Sequence, residues 1–357
     1  MNTHAAEIRL IIGTYTGNGA SDIPFPSKGI YSLTYNCDTQ TASIPVLEIA
    51  SENPSFMALD ALYARLYAVK EAAEGLVTAY VRKAEEGGWM DVASQPSEGA
   101  YPCYTSLSPD SHTLAVANYG SGTVALYDVH PDTGAIDSPF HIIAHHGSGP
   151  NTSRQEGPHA HWVNWSADGQ YLYVVDLGID KVMVYDRSDN WTHGRDALKL
   201  NPGSGPRHMA FHPSAATAYI LNELSNSIVA ARVGDCGLLE PFQELSTLPD
   251  GFSGKSQAAH IALTLDGQFL YTSNRGDDSI AVFSVGAKGA LERRQIISCG
   301  GSWPRSFTLV PWMNMLFVAN RYSHSISVFR IESDGTLHQK SEIKGIPQPV
   351  FIQALPL

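Results

Sequence analysis

Apolar and polar residues alternate along this chain in short runs with period two. The stretch GPHAHWVNWSADGQYLYVVD, residues 157 to 176, holds one such run, then the polar turn SADG, then a run rich in Tyr, Leu and Val. Period-two alternation between turn signals marks β-strands, and no comparable segment repeats its apolar residues at helical spacing. The unit recurs as YPCYTSLSPDSHTLAVANYGSGTVALYDV, PRHMAFHPSAATAYILNELSNSIVAARV, AAHIALTLDGQFLYTSNRGDDSIAVFSV and WPRSFTLVPWMNMLFVANRYSHSISVFRI, with a fainter copy from NPSFMALDALYARLYAVKE. Each copy reads as a short strand, a turn of the SPD or ADG kind, a second strand, a tight turn and a third strand. A fourth, more variable strand fits before the next copy.

Aligned on the first turn, the copies place Ser55, Cys103, His161, Arg207, Ala259 and Arg305 in one column. Lys70, Asn118, Asp176, Asn222, Asn274 and Asn320 fall in a second, always 15 residues later. Successive first-column residues lie 48, 58, 46, 52 and 46 apart, the period of four-stranded propeller blades. The C-terminal QPVFIQAL supplies a further first strand, with Val350 in the column, while LIIGTYT and GIYSLTY near the N-terminus supply second and third strands. The expectation is an all-β, seven-bladed propeller whose terminal strands close the ring within one blade, leaving no open sheet edge. Although 357 residues would by length alone suggest two domains, the repeats predict one ring over residues 1–357.

Composition narrows the function. With 23 Lys and Arg against 35 Asp and Glu, the net charge is -12, which argues against a nucleic-acid binder. Four scattered cysteines form no CxxC pair, so the thiols are expected to be reduced. The N-terminal run has no basic leader and is too short for a signal peptide or membrane span. A cytoplasmic protein without membrane contact, monomeric or homodimeric, is expected.

In a propeller the first strands line the central channel, and the turns leaving the second strands gather at one mouth. The first column brings His161, Arg207 and Arg305 to the axis, and the position after the second column brings Glu71, Tyr119, Leu177, Glu223, Arg275 and Arg321 to the mouth. His159 and His161, two apart on a strand, share a face. By the same parity His208 lies opposite Arg207, and His260 points away from the channel unless a bulge intervenes; His212 belongs to a turn. Arg207 and Glu223 read equally as a structural ion pair, and Arg275 and Arg321 as solvated loop charges. The insertion AHHGSGPNTSRQEG, residues 144 to 157, is long enough to deliver Arg154 and Gln155 over the mouth.

Arginines beside histidine and carboxylate suit an anionic substrate: guanidinium forks hold phosphate or carboxylate, and His or Glu moves a proton. No GxSxG, GxxxxGK[ST], GxGxxG, HExxH or EF-hand pattern is present. Calcium on scattered Glu, Asn and Asp is disfavoured by the neighbouring cations, so neither metal nor cofactor is expected.

The runs SGPNTSRQEGPHAHWV, GPRHMAFHP with NEL following, SNRGDDSIAVF and ANRYSHSISVF resemble the lactonase family of seven-bladed propellers across essentially the whole chain. That family includes bacterial 6-phosphogluconolactonases and fungal carboxymuconate-lactonizing enzymes. The resemblance implies cofactor-free interconversion of a lactone and its open acid, with a His, an Arg, a Glu and a second Arg at the mouth. These match His159 or His161, Arg207, Glu223 and Arg275, with Arg154, Gln155, Arg305, Glu71 and His260 as substrate-binding candidates. The expected function is hydrolysis of a phosphorylated sugar lactone, 6-phosphogluconolactone to 6-phosphogluconate, with a small anionic lactone or sugar acid as ligand. The alternatives are carboxy-cis,cis-muconate cyclisation in the same pocket and a non-catalytic propeller that binds a protein or ligand.

Overall fold

The computed structural model describes residues 7–17, 26–83 and 88–355, so the first six residues of the N-terminal run lie outside it. Seven antiparallel sheets form the blades of a propeller, with successive innermost strands in contact around the axis. Blade four shows the pattern: Ala160–Trp165 at the axis, then Tyr171–Asp176, Lys181–Asp186 and Arg195–Lys199 outward. Blade one joins the termini as the sequence predicts. Its innermost strand is Pro349–Leu355, followed by Glu7–Thr14 and Gly29–Asn36, and its outer position is shared by Thr41–Ala42 and Val46–Ala50.

The core lies between blades, where the apolar alternate positions of one sheet pack on the next. Trp162, Tyr173 and Val175 of blade four, for example, pack with Met209, Ile220 and Ala231 of blade five. Two polar devices recur across these seams. Tyr67, Tyr219 and Tyr271, on second strands, donate their hydroxyls to the carbonyls of Gly134, Gly289 and Gly335 in the following blades, at 3.0, 2.9 and 2.8 Å. Gly289 has φ +79, and a Cβ there would lie 2.7 Å from the Thr217 hydroxyl, so the close approach needs glycine. Gln243 both donates to the Leu291 carbonyl and accepts from its N–H, and Gln295 does the same with Leu337.

In every blade but blade two, whose inner strand begins only at Met57, the first column proves to be a β-bulge. In blade five Pro206 pairs with Asn222 and His208 with Leu221, so Arg207 is the extra residue. Cys103, His161, Arg305 and Val350 occupy the same unpaired position in their blades, and blade six passes over both Ala259 and His260. A bulge aims adjacent side chains toward the same side, and parity fails there. The expectation that His208 lies opposite Arg207 is therefore wrong: the His208 Nε2 sits 2.9 Å from Arg207 Nη1, inside the channel.

The seam hydrogen bonds should carry measurable stability. Tyr219→Phe and Tyr271→Phe each strand a glycine carbonyl, at a cost of about 1–2 kcal/mol. Urea denaturation checks this, and an unmoved midpoint in both variants would mean that the seams are held by apolar packing alone.

Candidate active site

Glu223 follows the strand Thr217–Asn222. Its N–H donates to the Gly205 carbonyl at 2.7 Å, and the preceding Asn222 braces the turn through Ser227. The carboxylate is 2 % exposed and meets three guanidiniums: Arg275 Nη2 at 2.6 Å, Arg207 Nε at 3.1 Å and Arg154 Nη2 at 2.5 Å. Burial pushes its carboxyl up, but Arg275, Arg207 and Arg154 outweigh that and hold it well below the usual carboxylate range. Glu223 is thus a fixed anion, ill-suited to take a proton. Arg207 is further held by the Ala259 carbonyl and His208, and Arg275 by the carbonyls of Gln257 and Ala258.

The insertion delivers Arg154 as expected, and Gln155 is the reason. Gln155 is fully buried, donates to Leu177 O at 2.9 Å and Asp180 Oδ1 at 2.8 Å, and accepts from the Asn151 N–H at 3.2 Å. Its amide is spent on the protein, so Gln155 fastens the loop while its neighbour reaches the mouth.

The two histidines separate in role. His159 lies just outside its strand and stacks on Tyr119, with ring centroids 4.4 Å apart. Its Nδ1 lies 2.8 Å from the Tyr119 carbonyl, which can only accept, so Nδ1 carries the hydrogen and Nε2 the lone pair. That Nε2 is buried without a hydrogen-bond partner, with Glu156 Oε1 at 3.4 Å. A proton arriving there would meet a carboxylate. His161 lies deeper, beside Cys103, and burial followed by the charge of Arg207 holds its imidazole well below the ordinary range. The Cys103–His161 pair is not a thiol nucleophile, because burial and Glu71 push the thiol up.

Below the charges the channel is closed by rings. Phe56 stacks on Tyr104, Tyr104 meets His208, His208 meets His260, and His260 meets Phe307. Arg207 donates to His208 Nε2, so His208 carries its hydrogen on Nδ1 and donates to His260 Nδ1 at 3.3 Å. The bulge in blade six brings His260 to the axis, where it backs His208 from the floor.

Across the mouth lies a second cluster. Glu71 accepts from the Tyr15 hydroxyl at 2.9 Å and lies 3.6 Å from Arg305, while Arg321 sits over the Tyr15 ring. Arg154, Arg207, Glu223 and Arg275 thus converge on one side, Glu71 and Arg305 on the other, and His161 and His260 below. Sequence reasoning missed Tyr15, Tyr119 as a support for His159, and His208. Tyr119 and Tyr15 both follow the second strands of their blades, but the Tyr15 column position is hidden where blade one spans the termini. Among the described residues no group of three or more His, Cys, Asp and Glu is arranged to hold a metal ion.

A family model described as Lactonase, 7-bladed beta-propeller matches residues 9–354. The chain belongs to that family. The lactonase-family propeller is also 35 % identical over 348 residues to the 6-phosphogluconolactonase of Bacillus subtilis, covering 96 % of this chain and 97 % of the relative. Among solved structures it resembles the periplasmic gluconolactonase of Pseudomonas aeruginosa (28 % identity, TM-score 0.88, 98 % and 99 % of the two chains). A protein from Lactobacillus plantarum is similarly close (31 % identity, TM-score 0.87, 98 % and 100 %). No helix among the described residues of this lactonase-family chain is long and apolar enough to cross a membrane.

The neutral histidines fix a pH dependence. Burial and Arg207 hold His161 and His208 well below the imidazole range and His260 at about 3. In the unfolded chain each would titrate near 6.5. Below about pH 6.5 the unfolded chain therefore binds protons that the folded propeller refuses, and stability falls with pH by up to about 1.4 kcal/mol per unit per histidine. Urea denaturation between pH 7 and 5 should show the loss, with a shallower slope in His260→Gln; an equal slope would mean that His260 is protonated in the fold.

Proposed function

We propose that this protein hydrolyses a phosphorylated sugar lactone, 6-phosphogluconolactone, to the open acid. The observation that carries the reading is charge. At one mouth of a molecule of net charge -12, five guanidiniums (Arg154, Arg207, Arg275, Arg305 and Arg321) face two carboxylates, Glu223 and Glu71. Glu156, at the rim and 60 % exposed, faces His159 Nε2 at 3.4 Å and is counted with that histidine. The excess of three positive charges matches a phosphate monoester of about two negative charges plus the oxyanion that forms when water attacks the lactone carbonyl. A tricarboxylate such as carboxymuconate has similar charge, and the Bacillus relative, by its name and near-full coverage, favours the phosphorylated lactone. Convergence in one channel also favours an enzyme over an interaction platform. The four free cysteines fit the reducing cytoplasm.

His159 Nε2 takes a proton from water as the oxygen attacks the carbonyl carbon. Glu156 meets the imidazolium, and Tyr119 holds the ring through its carbonyl and its face. Arg207 steadies the oxyanion; its Nη2 and Nε make no hydrogen bond among the described residues, Nε lying 3.1 Å from Glu223 Oε2, while Nη1 is held by His208 and Ala259. When the carbonyl reforms, the ring C–O bond breaks and His159 returns its proton to the leaving oxygen. The product acid ionises to solvent, so neither a covalent intermediate nor an added reductant or oxidant is needed. Glu223 orients the arginines instead of activating water. His161 stays neutral, because burial and the charge of Arg207 outweigh the opposing pull of Glu223.

The test is the hydrolysis of freshly generated 6-phosphogluconolactone above its spontaneous rate. His159→Gln should lower kcat by about a hundredfold or more, and His161→Gln by less than about tenfold. A wild-type protein that gives no acceleration would overturn the substrate; equal losses in the two variants would overturn His159 as the base.

A further inference from the structure

The arginines of the mouth differ in how closely a carboxylate meets them. Around Glu223 each guanidinium is within 3.1 Å of the buried carboxylate and is fixed by a further protein group: Arg154 by Tyr119, Arg207 by His208 and Ala259, and Arg275 by Gln257 and Ala258. Across the channel Arg305 is only 13 % exposed at its side chain yet makes no hydrogen bond among the described residues, and its carboxylate neighbour, Glu71, is 3.6 Å away. Arg321 uses Nε alone, toward Gln348 Oε1 at 3.0 Å. Both guanidiniums sit over one ring, Tyr15, at 5.4 and 4.6 Å from its centroid. The Tyr15 hydroxyl is drawn off to Glu71, so this carboxylate is shared and its neutralising power is divided. Two guanidiniums with unspent donors, one of them nearly buried, are costly unless an anion meets them.

We propose that Arg305, Arg321 and Tyr15 form the seat for the phosphate monoester of the substrate, and that the lactone carbonyl lies on the opposite side, at His159 and Arg207. The inference rests on the reading of the protein as a phosphorylated-lactone hydrolase and adds the orientation of the substrate to it. A phosphate has three terminal oxygens to engage the free edges of both forks, and cation–π contact with Tyr15 restrains the two guanidiniums before it arrives. The arginines around Glu223 already share a buried carboxylate, which offsets their charge toward a dianion and holds them rigid, and rigidity is what an oxyanion forming at a fixed place requires. The two clusters flank the same stretch of channel: Glu71 and Arg305 from one side and Arg207 and Glu223 from the other all act on the buried Cys103 thiol. A substrate with its carbonyl and its phosphate at opposite ends spans that gap.

Two measurements test the seat. In calorimetry with inorganic phosphate, Arg321→Gln should weaken binding about tenfold and Arg305→Gln/Arg321→Gln further, while Arg154→Gln weakens it less than about threefold. Phosphate binding that survives the double variant, or that falls most in Arg154→Gln, overturns the seat. In kinetics, the ratio of kcat/KM for 6-phosphogluconolactone over unphosphorylated gluconolactone should fall by about tenfold or more in the double variant. A wild-type ratio near one overturns the phosphorylated-substrate reading itself; a high wild-type ratio that persists in the double variant overturns only the placement of the phosphate.

Discussion

One buried carboxylate holds the mouth of this propeller together. Glu223 lies out of water, where an isolated charge would be prohibitively costly, and it is tolerated because three guanidiniums, from blades five and six and from the insertion before blade four, reach it. The dependence runs both ways: without Glu223 the same guanidiniums would repel one another at close range in a poorly screened site. A single carboxylate stabilises the three but does not neutralise them, so the cluster is rigid and still positive. That combination favours binding of an anion and stabilisation of negative charge that appears during reaction.

The scaffold makes such a cluster possible by repeating one irregularity. Each blade from three to seven, and the closing blade one, carries a bulge at the same register of its innermost strand. A regular strand would send every second side chain back into the seam between blades; the bulge adds a residue that turns to the axis. Six of the seven blades thus present an added position at the axis while the tyrosine and glutamine bonds at the seams keep the sheets in place. Polar residues at the axis are then free to differ from blade to blade without disturbing the apolar core.

Much of this was legible in the sequence because it repeats. The alternating runs, the 15-residue offset between columns and the complementary ends gave the blades and their closure, and the columns gave Arg207, Glu223, Arg275, Arg305 and Glu71. What failed was parity. Counting along a regular strand put His208 behind Arg207, whereas the bulge sets them side by side; nothing in PRHMAF announces a bulge, which depends on pairing with the neighbouring strand. Tyr15 escaped because its blade is assembled from both ends of the chain. The role of Gln155 was not legible either: a polar residue in a polar loop shows no sign of the buried Asp180 and Leu177 groups that will consume its amide.

The histidines complete the electrostatic design from below. His161, His208 and His260 lie within the field of Arg207, and charging any of them would add to an excess that already has too few counter-charges. Their neutrality lets His208 accept from Arg207 and so aim it, with His260 fixing the tautomer from behind. The aromatic floor that surrounds them contributes no charge and keeps water from screening the arginines above. His159 stands apart from these three, stacked on Tyr119 with Glu156 Oε1 3.4 Å from its Nε2. The channel is therefore graded, from neutral rings, through arginines held in place, to a histidine beside an exposed carboxylate, and in the proposed mechanism this gradient separates the group that steadies negative charge from the group that moves the proton.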